Sequence, residues 1–356
     1  MAKKSINKVR VAINGFGRIG RAFLKVAATR PELEVVAVNE LGDIHNMAYL
    51  LKYDSVYGKS DLEISVDEKT PAIVVGNKKI KFLSEKEPTK LPWKDLAVDV
   101  VVESTGFFTS YEKAKVHLES GAKRVVISAP AKDEPFDSAQ GGVGAMTRGE
   151  TVLVGVNEEK LKSCKISSNA SCTTNAGSPL IAILDETIGI EKAILNTVHA
   201  YTASQAIVDA PNKKDYREGR AGAQNIVPSS TGAANATTKA YPALAGKFDG
   251  ISIRVPVVAG SIVDVTFISK RATSKEEVNK ILKVAARSAR WKNIFAVTEE
   301  PLVSRDILGS SHASIADLAF TRVVGSNLVK VLAWYDNEMG YTYTLVDHVL
   351  KAGKLL

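Results

Sequence analysis

The chain has 356 residues, of which 45% are hydrophobic, and its 47 lysines and arginines against 39 acidic residues give a net charge of +8. This length exceeds what one ordinary hydrophobic core supports, so two domains are expected. The charge excess is modest and includes no lysine-rich block, which argues against a dedicated nucleic-acid site and suits an anionic small molecule equally well. No apolar run approaches the roughly 20 residues that a membrane helix requires.

The cysteines and the N-terminus indicate a reducing compartment. Cys164 and Cys172 are the only cysteines and lie too close together for a disulfide framework. With five scattered histidines they give no metal-ligand spacing, so no metal site is expected. The N-terminal stretch has no apolar signal-peptide core. We therefore expect a cytoplasmic protein without a membrane partner.

The first 130 residues alternate predicted strands and helices. Buried strands are predicted at residues 9–15, 33–41, 98–105 and 124–130, and a helix at residues 18–29. Thr109 and Glu112 have capping-box spacing for a further helix that runs toward residue 120. Apolar strands alternating with helices predict an α/β domain with a doubly wound parallel sheet, the Rossmann type.

After Pro130 the pattern changes. Residues 132–150 are rich in glycine and without periodicity, which predicts a surface excursion, and residues 151–157 resume the sheet. Further on, long strands dominate, which predicts an α+β domain whose sheet is mostly antiparallel. The elements predicted there are a helix from about Thr173, strands at 193–201, 251–258, 261–270 and 328–337, a helix at 275–289 capped by Ser274 with Glu277, and a last helix at 340–350 that returns to the first domain.

A glycine motif opens the chain. Gly15, Gly17 and Gly20 have the G-x-G-x-x-G spacing, between a predicted strand and a predicted helix, and Glu40 ends the next strand. This context predicts a dinucleotide site with the pyrophosphate on the helix N-terminus and Glu40 on a ribose diol. The alternative is a glycine turn that serves only close helix–strand packing. Because the carboxylate of Glu40 repels a 2′-phosphate and no basic residue follows it in NELGDIHN, NAD is favoured over NADP.

A cysteine among small polar residues needs a different explanation. Cys172 lies in SSNASCTTNAGSP, next to the start of a predicted helix, where free N–H groups and the helix dipole favour a thiolate. His199, at the end of a predicted strand, is the best placed of the five histidines to act as its base. A Cys–His pair with a dinucleotide predicts covalent oxidation of an aldehyde through a thioester. An inert thiol and a structural histidine are the alternative.

Ten segments occur along nearly the whole chain in a fixed order: INGFGRIGR, LLKYDSVYG, VVESTGFF, GAKRVVISAPAK, SNASCTTN, TVHAYT, PSSTGAA, RVPV, EEPLVSRD and WYDNEMGY. This set resembles the phosphorylating, NAD-dependent glyceraldehyde-3-phosphate dehydrogenases. The resemblance implies an NAD-binding Rossmann domain over residues 1–171, completed by a C-terminal helix at 338–356, and a catalytic domain over 172–337. It also implies a cytoplasmic homotetramer that oxidises glyceraldehyde 3-phosphate with NAD and inorganic phosphate, in glycolysis or gluconeogenesis.

The resemblance also implies individual roles. Cys172 would be the nucleophile and His199 its base. The implied phosphate contacts are Thr202 and Arg254 for the substrate's C3 phosphate, and Ser171, Thr173, Thr231 and Gly232 for inorganic phosphate. The implied cofactor contacts are Asn14, Gly15, Phe16, Gly17, Arg18, Ile19, Gly20, Glu40, Thr105 and Asn337. Small hydroxyl residues and a bidentate arginine suit phosphate binding, although capping, turn formation and ion pairing would use the same residue types.

Four features depart from the family pattern. Glu40 stands where the family usually has Asp, so the ribose contact is expected to shift. Ala176 replaces a second cysteine, and Asn235 replaces a lysine after STGAA. The segment from Lys132 to Glu150 is longer than usual by about a dozen residues, without a functional explanation.

Two other functions remain open from the sequence. Erythrose-4-phosphate dehydrogenases share SNASCTTN and often the Asn-Glu-Leu at residues 39–41. Thr202 in HAYT and Thr231 in PSSTGAA favour the glyceraldehyde-phosphate pattern instead. A nucleic-acid-binding protein built on this fold would use the +8 charge, but the Cys–His pair argues against that as a sole role.

Overall fold

The computed structural model describes residues 8–133, 149–213 and 215–356. The described chain forms two compact units. The first unit contains the described residues up to Val152, with Glu158–Ala170 and Leu345–Leu356, and the second contains Leu153–Asn157 and the described part of Ser171–Thr344. Most of the predicted surface excursion, residues 134–148, lies outside the described residues. No described helix is long and apolar enough to cross a membrane.

The first unit is built on a mostly parallel sheet. Its described strands are arranged in the order β10-β11-β9-β8-β1-β2-β7-β6-β5, in which only the pairs β7–β6 and β6–β5 are antiparallel. The elements are β1 Val9–Asn14, α1 Arg18–Ala28, β2 Leu33–Asn39, α2 Ile44–Lys52, β3 Tyr53–Asp54, β4 Gly58–Lys59, β5 Ile64–Asp67, β6 Ala72–Val75, β7 Lys78–Leu83, β8 Val100–Glu103, α3 Tyr111–Ala114, α4 Val116–Glu119, β9 Arg124–Ile127, β10 Gly149–Thr151 and β11 Ile166–Ser168.

The centre of this sheet explains the apolar runs of the sequence. Every residue of β8 and β9 is buried, as expected for parallel strands covered on both faces. The chain leaves β1 toward β2 on one side and returns to β8 on the other. The carboxyl ends of these three strands therefore border the crevice in which open α/β sheets bind ligands. The predicted doubly wound sheet is confirmed, and the antiparallel edge β5–β7 was not predicted.

The second unit has a mixed, mainly antiparallel sheet, as predicted. The described strands follow the order β13-β14-β12-β15-β18-β17-β16, with parallel pairing only at β12–β14 and β16–β17. The elements are α5 Cys172–Asp185, β12 Ile190–Ala200, β13 Val227–Ser230, α6 Ala233–Ala240, β14 Phe248–Val255, β15 Ser261–Ser269, α7 Lys275–Arg287, β16 Phe295–Thr298, β17 Ser314–Val324, β18 Leu328–Tyr335 and α8 Met339–Gly353, whose last turns belong to the first unit.

The core of the second unit lies between one face of its sheet and its helices. Side chains of β15 alternate strictly between buried and half-buried positions, as a strand with one covered face requires. Leu195, Val265 and Val331 point from the strands into a cluster with Leu180 of α5, and all four are fully buried. The helix that begins at the predicted cysteine is thus held firmly against the sheet.

Two local predictions were wrong. The helix predicted to start from Thr109 is instead capped by Ser110, whose hydroxyl accepts from the Lys113 amide, while Thr109 is buried. The strand predicted at residues 151–157 ends at Thr151, because the amide of Leu153 bonds to the side chain of Asn157 and closes a turn. By contrast, Ser274 caps α7 as predicted, by accepting from the Glu277 amide, although the Glu277 carboxylate accepts from Arg271 and Thr273.

Candidate active site

The first turn of α5 places the sulfur. Ser171 is the N-cap: its hydroxyl oxygen accepts from the Thr174 amide at 3.1 Å, and its carbonyl accepts from Asn175 Nδ2 at 2.9 Å. Cys172 is the first residue of the helix and is half-buried. The predicted position of the cysteine at a helix N-terminus is therefore found, and the serine beside it satisfies the cap.

The strand β12 brings the histidine to the sulfur. His199 Nε2 lies 3.4 Å from Cys172 Sγ, and the imidazole is buried. That distance is within hydrogen-bond range for sulfur. Proton transfer between the two groups thus requires no rearrangement of the chain.

The other side of His199 faces an arginine. Arg254 lies opposite His199 in the register of β12 and β14, and its Nη1 is 2.7 Å from His199 Nδ1. The same Nδ1 lies 2.6 Å from the carbonyl oxygen of Ala200. A guanidinium can only donate, whereas a carbonyl can only accept, so the two contacts favour opposite tautomers of the imidazole. Donation from Nδ1 to the Ala200 oxygen leaves Nε2 as the nitrogen that can accept a proton from Cys172.

Burial and charge set the protonation of the pair. Burial and then the charge of Arg254 lower the pKa of His199 to about 4. Burial raises the pKa of the Cys172 thiol, against the opposing influence of Arg254 and the amide of Thr173. The helix N-terminus lowers the pKa of the thiol as predicted, but burial raises this pKa by more. Near neutral pH the pair is an uncharged thiol beside an uncharged imidazole that can accept its proton.

The predicted phosphate residues lie on three segments. Arg254 carries a buried Nε with no protein partner among the described residues, as a guanidinium kept for a ligand would. Thr202 follows β12 directly and contacts the Ser204 hydroxyl at 3.0 Å. Gly232 is the N-cap of α6, without a side-chain cap, and Thr231 precedes it. Each segment therefore offers donors to an anion.

Tyr335 was missed by the sequence reasoning. Its hydroxyl lies 2.9 Å from Thr173 Oγ1 and 2.7 Å from Thr197 Oγ1, and its ring meets that of His199 edge-on at 5.9 Å. Burial raises its pKa, so it stays a neutral phenol. It thereby ties the start of α5 to β12. The only sequence signal is its position inside WYDNEMGY, and its partners lie far away along the chain.

In the first unit the glycine loop has the shape that a dinucleotide needs. Gly15 has φ +92°, and a Cβ there would lie 2.6 Å from the Thr105 backbone nitrogen. A Cβ on Gly20 would lie 2.2 Å from the Gly15 oxygen, so this glycine serves close helix–strand packing. Gly17 has open space around it and is the N-cap of α1, so no side chain of the cap residue covers the start of this helix. Gly20 thus fits the interpretation that the motif serves helix–strand packing, and Gly17 fits the interpretation that the motif binds a dinucleotide.

Glu40 joins the glycine loop to the end of β2. Its Oε2 accepts from the Phe16 amide at 2.8 Å, and its Oε1 accepts from Leu41 and Gly42. The carboxylate is thus fixed at the edge of the crevice, where a ribose diol would share it. Leu41 and Phe107, which follow β2 and β8, are exposed apolar residues that sequence reasoning missed.

The remaining predicted cofactor residues are anchored within their own units. Asn14 Nδ2 donates to Glu103 Oε2 at 2.6 Å, and the Thr105 amide donates to Glu103 Oε1 at 2.9 Å. In the second unit, Asn337 Oδ1 accepts from the Gly260 amide at 3.0 Å. Arg18 pairs with Asp54 at 3.3 Å at the surface.

Comparison with known proteins gives the family. Residues 9–111 match the model of the "Glyceraldehyde 3-phosphate dehydrogenase, NAD binding domain", and residues 171–337 match the C-terminal domain of the same family. The chain belongs to the glyceraldehyde 3-phosphate dehydrogenase family. Among similar proteins, the glyceraldehyde-3-phosphate dehydrogenase of Mycobacterium avium is 48% identical over 98% of this chain and 99% of its own. That of Geobacillus stearothermophilus is 46% identical over 95% and 96%, and glyceraldehyde-3-phosphate dehydrogenase B of Aspergillus oryzae is 43% identical over 97% and 99%.

The predicted site residues fall within the two matched family domains. The glycine loop, Glu40 and Thr105 fall within the matched NAD-binding domain. Cys172, His199 and the phosphate residues fall within the matched C-terminal domain. The resemblance noted from the sequence is therefore confirmed, and NAD is the cofactor of the family domain that carries the glycine motif.

Proposed function

We propose that this protein oxidises D-glyceraldehyde 3-phosphate with NAD and inorganic phosphate to 1,3-bisphosphoglycerate, through a thioester on Cys172. The observation that carries the proposal is the 3.4 Å approach of Cys172 Sγ to His199 Nε2, with Arg254 against the far side of the imidazole. A thiol, a base and a cation for an anionic substrate are the groups that this reaction needs.

His199 moves the protons of the reaction. Its neutral Nε2 takes the thiol proton as Sγ attacks the aldehyde carbon, and returns it to the carbonyl oxygen to give a hemithioacetal. His199 then removes the hydroxyl proton again as the carbon loses hydride, and the thioester remains on Cys172. Bound NAD supplies the hydride acceptor. Inorganic phosphate attacks the thioester, the C–S bond breaks, and the imidazolium protonates the departing sulfur.

The two phosphate groups are assigned to different segments. Thr202 and Arg254 would hold the substrate's C3 phosphate, for which the free Nε of Arg254 is the support. Thr231, whose hydroxyl oxygen accepts from the Ala233 amide at the start of α6, and Gly232 would hold the attacking phosphate, together with Ser171 and Thr173.

The cofactor assignment follows from the first unit. The uncapped N-terminus of α1 would take the pyrophosphate, with Asn14, Thr105 and the rest of the glycine loop around it. Glu40 would hold the adenosine ribose and exclude the 2′-phosphate of NADP. The exposed side chains of Leu41 and Phe107 would flank the adenine. Asn337, whose side-chain oxygen accepts from the Gly260 amide, is also proposed as a cofactor contact.

The functional domains are proposed to be residues 1–171 with 338–356, and 172–337. The protein is proposed to act in the cytoplasm as a homotetramer. Support for self-association comes from the sheet of the second unit, whose face away from the helices exposes Ile194 and Ile251. Large exposed apolar patches mark interaction surfaces.

Turnover by the purified protein tests the proposal. NADH should form from glyceraldehyde 3-phosphate only when NAD and phosphate are both present. Cys172→Ser should abolish turnover and retain NAD binding, whereas Cys164→Ser, which alters a buried cysteine away from the pair, is the control. Substantial activity in Cys172→Ser would refute the thioester.

The erythrose-4-phosphate alternative is not favoured, since the relatives above are named glyceraldehyde-3-phosphate dehydrogenases. The ratio of kcat/KM for the two aldehydes checks it. A higher value for erythrose 4-phosphate would reverse the assignment while leaving the Cys–His chemistry intact.

A further inference from the structure

A row of buried polar side chains crosses the carboxyl ends of three neighbouring strands in the first unit. Asn39 of β2, Asn14 of β1 and Glu103 of β8 lie side by side in register. Asn39 Nδ2 donates to Asn14 Oδ1 at 2.7 Å, and Asn14 Nδ2 donates to Glu103 Oε2 at 2.6 Å. Polar groups are costly to bury unless each finds a partner, so this row calls for a reason beyond packing.

The row continues through two residues that do not reach the crevice. His117 Nε2 lies 3.0 Å from Glu103 Oε2, and Trp93 Nε1 lies 3.1 Å from His117 Nδ1. An indole nitrogen can only donate, so Nδ1 of His117 is the acceptor and Nε2 carries the proton. Both rings are fully buried. Trp93 therefore fixes His117 as a donor to Glu103.

Glu103 gathers four donors on one buried carboxylate. Oε2 accepts from Asn14 and His117, and Oε1 accepts from both the amide and the hydroxyl of Thr105. The two oxygens of a carboxylate have room to accept from four donors at once. Its side chain has no access to solvent. A fully satisfied buried network of this kind is rigid.

The structure assigns Glu103 and His117 as positioning residues for the dinucleotide. Glu103 holds Asn14 at the start of the glycine loop and Thr105 in the loop after β8, and His117 orients Glu103. Ser104 Oγ also donates to the Gly15 oxygen at 2.7 Å, so the two loops are joined directly as well. The inference rests on the proposed roles of Asn14 and Thr105 as cofactor contacts.

Three substitutions separate hydrogen bonding from bulk. Glu103→Gln replaces one carboxylate oxygen by an amide nitrogen. This nitrogen is a donor and would face donors that the oxygen accepted from. His117→Phe keeps a ring but leaves the Trp93 N–H and one Glu103 lone pair unsatisfied. His117→Gln offers an oxygen to Trp93 and an N–H to Glu103, and should rescue the network.

His348 provides the matched control. It is also fully buried, belongs to the same unit, and bonds to Ser167 Oγ at 2.7 Å and Asn169 Oδ1 at 3.0 Å. Neither partner is a proposed cofactor contact. His348→Phe should therefore lower stability in the same way as His117→Phe without altering NAD binding.

The experiment measures the dissociation constant of NAD by titration calorimetry, well below the lowest unfolding midpoint of the set. We expect it to rise about tenfold in Glu103→Gln and His117→Phe, as for the loss of one charge-assisted hydrogen bond, and to stay within about twofold of wild type in His117→Gln and His348→Phe. The rate of Cys172 alkylation by iodoacetamide without NAD should be unchanged in all four.

Each contrary result is decisive. Wild-type affinity for NAD in His117→Phe, no rescue by His117→Gln, or an equal loss of affinity in His348→Phe would each overturn the positioning role. A wild-type protein that does not bind NAD at all would instead refute the proposed function, and this inference with it.

Discussion

His199 lies between a thiol and a guanidinium, and after burial the charge of Arg254 is the second cause of its lowered pKa. The same charge opposes the burial that raises the pKa of the Cys172 thiol. Arg254→Gln should therefore raise the pKa of His199 from about 4 toward 6.5 without reaching it, because burial remains. Histidine ring resonances followed by NMR against pH give the value, with His199→Asn identifying the signal.

The same substitution should slow alkylation of Cys172 near neutral pH, because less thiolate forms without the arginine. Arg220→Gln is the matched control, since Arg220 pairs with Asp209 at the surface. An unchanged His199 pKa in Arg254→Gln would mean that the contact between the two side chains has no electrostatic effect.

The two phosphate assignments predict different kinetic defects. Arg254→Ala should raise KM for glyceraldehyde 3-phosphate by ~30- to 150-fold, because it removes a charge-assisted grip worth about 2–3 kcal/mol. Thr231→Ala should mainly raise the KM for inorganic phosphate, by about tenfold for one hydrogen bond. Saturation curves for both ligands test this in each variant. Similar changes of both curves in both variants would rule out two separate sites.

At the scale of elements, helix starts could be predicted where the residues that mark them lie next to the helix in sequence. The starts of α1 and α7 follow from a glycine motif and from Ser274, and α5, predicted from about Thr173, begins one residue earlier, at Cys172. The helix α3 shows the limit of this approach. Thr109 and Ser110 both carry a capping hydroxyl, and only the folded backbone selects Ser110.

The Cys172–His199 pair was predicted from the chemistry it would perform, but the other contacts between distant segments at the site were not predicted. Arg254 meets His199 only because β14 pairs with β12 in one particular register. Tyr335 of β18 contacts the same histidine, and His117 of α4 contacts Glu103. The hydrophobic pattern of the sequence indicates neither contact. The residue types at the site were therefore predictable, and the arrangement that sets their pKa values and hydrogen bonds was not.

The final helix carries a pH-dependent contribution to stability. Burial lowers the pKa of His348 in α8 to about 3, below the 6.5 of an unfolded histidine. Below pH 6.5 the histidine takes up a proton in the unfolded chain but stays neutral in the folded chain. The free energy of unfolding therefore decreases as the pH is lowered, until the pKa of the folded chain is reached. From pH 7 to pH 5 this one group costs about 2 kcal/mol.

His348→Gln should remove that contribution. The fall in unfolding free energy between pH 7 and pH 5, measured by denaturant titration, should be smaller in the variant than in the wild type by about 2 kcal/mol. Other ionisable groups act equally in both proteins and cancel. An equal fall in the two proteins would show that His348 is protonated in the folded chain.

At the scale of the whole molecule, the proposed self-association concerns the face of the second unit's sheet that lies opposite its helices, where apolar side chains lie beside polar ones such as the ion pair of Lys330 and Asp264. The strands β12, β14, β15 and β18 alternate, and their side chains opposite the helices form this open face. Ile194 is 63% exposed and Ile251 is 54% exposed. The half-buried members of the face are Val198, Ile253, Ile262, Ile268, Leu332 and Trp334.

Two glutamates on this face should break the proposed homotetramer. Ile194→Glu with Ile251→Glu alters side chains that lie in solvent in the single chain, so folding should be retained, whereas burying two carboxylates against another copy is strongly unfavourable. Val284→Glu, on α7 at 64% exposure, is the control. Light scattering after size exclusion should give multiples of the 38.2 kDa chain mass for the wild type and the control, and smaller assemblies for the double variant. A double variant that keeps the wild-type mass would place the interface elsewhere.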